Sequence, residues 1–270
     1  MLKIRNLCKT FFAGTPNQVN ALRDIDLDIE EGCFAAIIGT NGSGKSTLLN
    51  AVAGAFQVDE GVIELDGVDI ARQPEYQRAR QVGRVFQNPF AGTAAGMSIA
   101  ENIALAMRRG RRQGLRRAVG SKVREEIQSR VRTLDMGLED RLDNAIGTLS
   151  GGQRQALTLL MATWRRPKLL LLDEHTAALD PKSAGQVAAL TKEIIERENL
   201  TALMVTHSME QAVQLSDHIV MMHKGQIIEQ YGAECKASVR VADLLNAFDR
   251  VRRRELLDPD VADLLARQYA

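Results

Sequence analysis

The chain has 270 residues, of which 45% are hydrophobic and 26% charged, and its formal net charge is +1. That length supports one large α/β domain, or a core domain with a smaller satellite, and leaves little room for two full domains. The near-zero charge gives no bulk attraction to nucleic acid, and three cysteines (Cys8, Cys33, Cys235) without a C-x-x-C pair argue against a disulfide framework or a zinc cage.

The first residues, MLKIRNLCKTFF, lack a basic start followed by a long apolar stretch, so neither export nor a membrane span is expected. Residues 2–7 and 22–29 alternate apolar and polar, as half-exposed antiparallel strands do. Short apolar runs follow at 34–38, 62–65, 82–86, 169–172, 202–205 and 219–222, separated by turn signals and helical stretches. Strands alternating with helices predict a largely parallel sheet. Asp66-Gly67 and Lys224-Gly225 read as tight hairpin turns.

Between 87 and 149 the strand-like runs stop. Ile99, Ile103 and Met107, then Val123, Ile127, Val131 and Leu134, recur at helical steps, which predicts a helical subdomain inserted at about 90–165. After Tyr231, Val241, Leu244, Leu245 and Phe248 fall on one helical face, then Val261, Leu264 and Leu265, with Pro259 between the two pieces. The expected organisation is one unit over 1–232 and a helical C-terminal extension over 233–270. No internal repeat or low-complexity linker interrupts it.

Gly39-Thr40-Asn41-Gly42-Ser43-Gly44-Lys45-Ser46 fits G-x-x-x-x-G-K-[ST] and stands between a predicted strand and a predicted helix. Glycines at 39, 42 and 44 let successive backbone N–H groups turn toward phosphate oxygens at a helix N-terminus. Lys45 would neutralise the β- and γ-phosphates of ATP, Ser46 would ligate Mg²⁺, and Thr47 would reach the α-phosphate. A glycine turn that merely enters a helix needs neither the lysine nor the hydroxyl. Farther on, four leucines run into Asp173-Glu174. Asp173 would hold Mg²⁺ and Glu174 would orient and deprotonate water. Alone, such a pair is more often a cap or an ion-pair partner; beside the Lys45 loop the balance reverses.

Leu149-Ser150-Gly151-Gly152-Gln153, opening a predicted helix, resembles the signature of the ABC ATPase family. A serine N-cap with glycines for a tight entry is the plainer reading, and it accounts for Ser150 alone. Gln87, the Ala178-Leu179-Asp180 segment and His207 follow in that family's order, and the resemblance spans roughly residues 1–232. It implies a phosphate-loop NTPase core with a mostly parallel sheet, an N-terminal antiparallel β subdomain and an inserted helical subdomain. It further implies that Gln87 contacts Mg²⁺ or water and senses a permease, that His207 contacts the γ-phosphate, and that Asp180 crosses a dimer interface. Ser150, Gly151, Gly152 and Gln153 would grip the γ-phosphate held by a second copy's Lys45 loop, which makes a homodimer part of the mechanism. The adenine-stacking ring is expected at Phe11, with Phe12 beside it.

Where most relatives carry proline, this chain has His175. A less rigid loop, a contact to the neighbouring subunit or a neutral change are the readings open. The basic run from Arg108 to Arg117 is read either as a face toward anionic headgroups or the permease, or as a solvated loop.

The resemblance implies an ATPase on the cytoplasmic face of the cell membrane, driving separate transmembrane permease chains and served by an extracytoplasmic solute-binding protein. The segments Val85-Phe86-Gln87-Asn88-Pro89 and Asp-Glu-His-Thr-Ala-Ala-Leu-Asp resemble a bacterial importer group whose permeases look like those for branched-chain amino acids, so an amino acid or similar solute is expected. The alternatives are an exporter ATPase of the lipoprotein-release or macrolide type, which residues 14–22 resemble, and a soluble ABC ATPase acting on ribosomes or DNA. The near-zero charge disfavours the last.

Overall fold

A computed structural model describes residues 1–110, 119–232 and 239–256 of the chain. Cys235, residues 111–117 of the basic run, and the Pro259, Val261, Leu264 and Leu265 segment lie outside the described residues.

Strands β1 (Leu2–Phe11), β2 (Val19–Ile29), β4 (Glu60–Leu65) and β5 (Val68–Asp69) form an antiparallel sheet in the order β2-β1-β4-β5. The alternation read at 2–7 and 22–29 is that of a sheet buried on one face: Leu2, Ile4, Ile25 and Leu27 point inward between exposed polar residues. One correction concerns residues 62–65. They were expected among the strands that alternate with helices, yet β4 pairs antiparallel with β1, and Val62 is exposed on the outer face.

The second sheet has the order β10-β9-β3-β8-β7-β6, built from β3 (Phe34–Gly39), β6 (Val82–Val85), β7 (Leu169–Asp173), β8 (Thr201–Val205), β9 (His218–His223) and β10 (Gln226–Tyr231). Only the β9–β10 pair is antiparallel. Its turn, Lys224-Gly225, and the β4–β5 turn, Asp66-Gly67, both carry positive φ at the two central residues (44° and 81°, 54° and 74°), the geometry that matches strand twist.

Both faces of the parallel strands are covered, which explains the unbroken apolar runs. Ala35, Ile37, Leu169, Leu171, Leu203 and Val205 pack toward α1 (Lys45–Ala53) and the antiparallel sheet. Ala36, Ile38, Leu170, Leu172 and Met204 face the other way, onto α6 (Pro181–Glu198), α7 (Met209–Leu215) and α8 (Val241–Leu256). Each such leucine or isoleucine contributes about 1.5–3 kcal/mol of burial. Four side-chain hydrogen bonds from buried Arg78, at the end of the short α2 (Glu75–Arg78), close the C-terminal end of α1 by way of Ala51 O (2.6 Å) and Val52 O (2.9 Å) and tie it to Ala71 O and Gln73 O.

Helices α3 (Ile99–Met107), α4 (Ser121–Arg132) and α5 (Gly151–Thr163) build a separate core in which Ile99, Ile103, Ile127, Val131, Leu157 and Trp164 meet. This is the stretch read as helical from its spacing. In α8, Leu244, Ala247 and Phe248 are buried but Leu245 is 51% exposed, so the buried face is narrower than the one read from the sequence. Arg109 is not part of a free basic face: it donates to Ala162 O at 3.0 Å, at the end of α5, while its own carbonyl accepts from Arg165. No helix among the described residues is long and apolar enough to cross a membrane.

Candidate active site

The site forms where the parallel strands end. Strand β3 runs into the loop from Gly39 to Gly44, which enters α1 at Lys45. Of the three glycines, Gly42 and Gly44 have positive φ (75° and 97°), and Gly39 does not. Gly39 is required for space instead: a Cβ there would lie 2.3 Å from the Met222 carbonyl oxygen of β9. At Gly44 both constraints act, since a Cβ would also meet Ala21 O at 2.5 Å. The loop is held from below by the β9–β10 turn, because Gly225 N donates to Ser43 O at 3.0 Å. That support comes from a residue nearly two hundred positions away and had no signal in the loop motif itself.

Lys45 is almost fully buried, and its ammonium donates to Gly39 O and Thr40 O, both at 2.9 Å. Burial pushes its pKa down, and the negative charge of Glu174 partly restores it. Ser43 Oγ is buried and finds no hydrogen-bond partner among the described residues, an orphaned polar atom inside the loop. A cleft of about 510 Å³ opens over the loop, lined by Asn41, Gly42, Ser43, Gly44, Lys45, Ser46 and Thr47, by Glu174 and His207, and by Phe11, Phe12, Val19 and Ala21. Phe11 meets Phe56 edge to face, with centroids 5.3 Å apart, while Phe12 at the lip is 70% exposed. Both rings line the cleft.

The second wall comes from β7 and β8, whose ends are in register at Asp173 and Val205. Glu174 follows with φ 44°, a left-handed conformation that a non-glycine residue adopts at a cost of about 1–3 kcal/mol. It is held there by Glu174 N donating to Val205 O at 2.9 Å and by Ala177 N donating to Glu174 O at 2.9 Å. Its carboxylate is shared: Oε1 lies 2.5 Å from His207 Nε2, and Oε2 accepts from Gln87 Nε2 at 3.0 Å. Two residues far apart in the sequence thus converge on one acid.

Asp173 contacts Arg84 of β6, Nη2 to Oδ2 at 3.3 Å, and Arg84 also donates to Asn50 of α1 at 2.6 Å. Neither Arg84 nor Asn50 was read from the sequence. Arg84 is brought to Asp173 by strand register, which sets Val85 beside Leu172 and Arg84 beside Leu171. Ser46, Asp173 and the amide oxygen of Gln87 offer hydroxyl, carboxylate and carbonyl oxygens, a donor set that fits a hard divalent ion such as Mg²⁺. The Arg84 contact occupies one Asp173 oxygen and the Glu174 contact occupies the Gln87 amide nitrogen, so each residue keeps an oxygen.

The Ser150 segment lines no part of this cleft. Ser150 caps α5, its Oγ accepting from Gln153 N and its N–H donating to Gln153 Oε1, both at 3.3 Å. Gly152 packs so close to α6 that a Cβ would stand 2.8 Å from Ser183 Cβ, and Gly151 would approach Leu179 Cδ2 to 3.1 Å. The plainer reading therefore reaches further than expected, since capping accounts for Gln153 as well as Ser150 and packing accounts for Gly152. Two following residues tie α5 to the Gln87 segment: Gln155 Nε2 donates to Phe86 O at 2.9 Å, and the Arg154 guanidinium lies 3.8 Å from the Phe90 ring centroid. Asp180 caps α6, accepting from Ser183 N at 3.0 Å, and this hydrogen bonding lowers its pKa.

His175 is 1% exposed, enclosed by its own chain, and does not reach a neighbouring subunit. Thr191 Oγ1 donates to Val187 O at 2.7 Å, so the 3.0 Å contact with His175 Nε2 needs the imidazole N–H as donor. The ring is neutral, and burial pushes its pKa down from 6.5 to about 4. The unfolded chain takes up this proton first, so the corresponding stability is present above pH 6.5 and is lost as pH falls toward 4. His175→Gln keeps a donor for Thr191 without titrating. Across that window denaturant melts should show the wild type losing about 3 kcal/mol more than the variant; equal slopes would remove His175 as the source.

A glycine loop closing on a buried lysine, with acidic residues at the end of the second strand over from it, defines a phosphate-loop nucleoside triphosphatase. Residues 22–177 match the ABC transporter family model. Among relatives, a "Tyrosine transport ATP-binding protein" of Clostridioides difficile (strain R20291) is 41% identical over 251 residues, covering 92% of this chain and 99% of that one. A "Methionine import ATP-binding protein MetN" of Chromohalobacter salexigens is 33% identical over 256 residues, covering 92% of this chain and 70% of the relative. A solved ATP-binding cassette, a dimer in a post-hydrolysis state bound to ADP and Pi, superposes with TM-score 0.74 at 26% identity, covering 86% of this chain and 99% of the other. The chain belongs to the ABC transporter family as an ATP-binding subunit, an ATPase coupled to transport.

Proposed function

We propose that the chain powers uptake of an amino acid or a similar small organic solute, hydrolysing ATP in the cleft between Lys45 and Glu174. The observation that carries the hydrolytic reading is the convergence of Lys45, Glu174 and His207 on one cleft, with Gln87 bonded to the same acid. Lys45 and the loop N–H groups bind the phosphates, Phe11 borders the adenine, and Glu174 takes the proton of the attacking water. His207 is the donor for the γ-phosphate, a contact for which its Nε2–H must exchange Glu174 for phosphate. Mg²⁺, held by Ser46, Asp173 and Gln87, would supply neutralisation of the phosphate charge.

Because the Ser150 segment lines no part of the cleft, it is free to serve the cleft of a second copy. Two chains would then enclose two ATP molecules, with Asp180 near the shared boundary. Closing and reopening of that dimer would drive separate permease chains through the Gln87 segment, at the cytoplasmic face of the cell membrane. An extracytoplasmic binding protein would deliver the solute to the permease. The relatives are named for tyrosine transport and methionine import, which favours uptake over export.

The test is uptake of labelled amino acids by cells with and without the chain. Loss of uptake for one amino acid, restored by the wild type and not by Lys45→Met, is the expected result. Unchanged uptake across the whole amino-acid panel would overturn the solute assignment.

A further inference from the structure

Beyond the Asp173–Val205 pair, the β7–β8 ladder adds one bond, Glu174 N to Val205 O, and then the two chains diverge into the loops that carry Glu174 and His207. Besides the Glu174–His207 contact itself, one further side chain reconnects them. Gln211, in the first turn of α7, presents its amide to a hydroxyl on each loop: Oε1 accepts from Thr206 Oγ1 at 3.2 Å, and Nε2 donates to Thr176 Oγ1 at 3.1 Å. Thr206 Oγ1 in turn accepts from Ser208 N at 3.1 Å, and Ser208 caps the helix by accepting from Gln211 N at 3.2 Å. The result is a closed set of bonds around residues 206–211 with one arm reaching Thr176.

Thr176 and Thr206 are 6% and 4% exposed, so water is a poor substitute for the amide. Thr176 stands two residues after Glu174, and Thr206 immediately precedes His207. On the opposite side His175 is fixed to Thr191 of α6. Each of the residues 174, 175 and 176 is therefore tied to a different element, and Gln211 supplies the tie that also reaches Thr206, next to His207.

We propose that Gln211 is a positioning residue for hydrolysis, setting the separation between the Glu174 and His207 loops while their side chains exchange partners. The proposal rests on the reading of Glu174 and His207 as the hydrolytic pair. Gln211 lines no part of the cleft, so its loss acts on turnover and leaves nucleotide affinity alone.

Gln211→Leu keeps the size and removes both bonds. Its kcat is expected to fall about 10- to 100-fold, the scale of a misplacement near 1 Å, with KM for ATP within about twofold of wild type. Gln211→Glu restores most of the rate, because a carboxylate accepts from both threonine hydroxyls. In a His207→Ala background the same Gln211→Leu change is expected to add less than about twofold, whereas a general loosening of the fold would repeat its full factor there. Thr176→Val breaks the bridge from the other end if the leucine variant fails to fold, and should reproduce its kcat loss. Wild-type kcat in Gln211→Leu or Thr176→Val, or equal losses with and without His207, would overturn the proposal. If Glu174→Gln is inactive and Gln211→Leu is normal, only the bridge falls; if Glu174→Gln is itself normal, the hydrolytic reading beneath it falls.

Discussion

Glu174→Gln is expected to lower steady-state ATP turnover by about 10²- to 10⁴-fold, the range that a positioned general base contributes. The substitution is nearly isosteric, and the surroundings that hold position 174 act on its backbone: the bonds to Val205 O and from Ala177 N survive the change. A glutamine oxygen still accepts from His207 or Gln87, and rotation of the Gln87 amide accommodates the new NH₂ group. What disappears is the base. ATP affinity should hold or improve, because the acid that raises the pKa of Lys45 also repels a triphosphate in the same cleft. Phosphate release measures the first quantity and equilibrium dialysis of labelled ATP the second. Turnover within about threefold of wild type would remove Glu174 from the chemistry.

How much of this site was legible in the sequence follows from how its parts are spaced. The Lys45 loop occupies eight consecutive residues, so its chemistry and its strand-to-helix setting could be read together. Asp173 and Glu174 were legible because a four-leucine run marks a strand buried on both faces and its end marks the site. Arg84, Asn50, Gln155 and Gln211 gave no comparable signal, and Gly225 read only as part of a hairpin turn, not as a support for the loop. Each acts through a contact that exists only once strand order and register are fixed: Arg84 across β6 and β7, Gly225 beneath the loop, Gln211 across the ends of β7 and β8. The misreadings share that origin. Residues 62–65 have the composition of any strand, and nothing local says which sheet they join. Gly39 resembles its neighbouring glycines in the motif, yet its reason is the Met222 carbonyl on an adjacent strand. At His175 a less rigid loop, a contact to the neighbouring subunit and a neutral change all stay open from the sequence, because its enclosure by α6 is tertiary.

Lys45→Met is expected to weaken ATP binding by about 100-fold or more, from the loss of charge-assisted hydrogen bonds to phosphate oxygens. The ammonium is already confined by Gly39 O and Thr40 O, so it is presented to a ligand with little conformational freedom left to lose. The same confinement separates the binding effect from stability. Methionine removes two hydrogen bonds but also a buried charge, and burial is the larger influence on this lysine. The two changes oppose each other, so the melting of the unliganded variant should stay within about 1 kcal/mol of wild type. Ligand stabilisation gives the decisive readout. At an ATP concentration near 100 times its dissociation constant, wild type gains about 2.7 kcal/mol, whereas the variant at the same concentration gains less than about 0.5 kcal/mol. Thermal melts with and without ATP read this without any hydrolysis. A variant whose melting temperature still rises with ATP as the wild type does would show that the phosphates are held by the loop N–H groups alone, and the role assigned to Lys45 would fail.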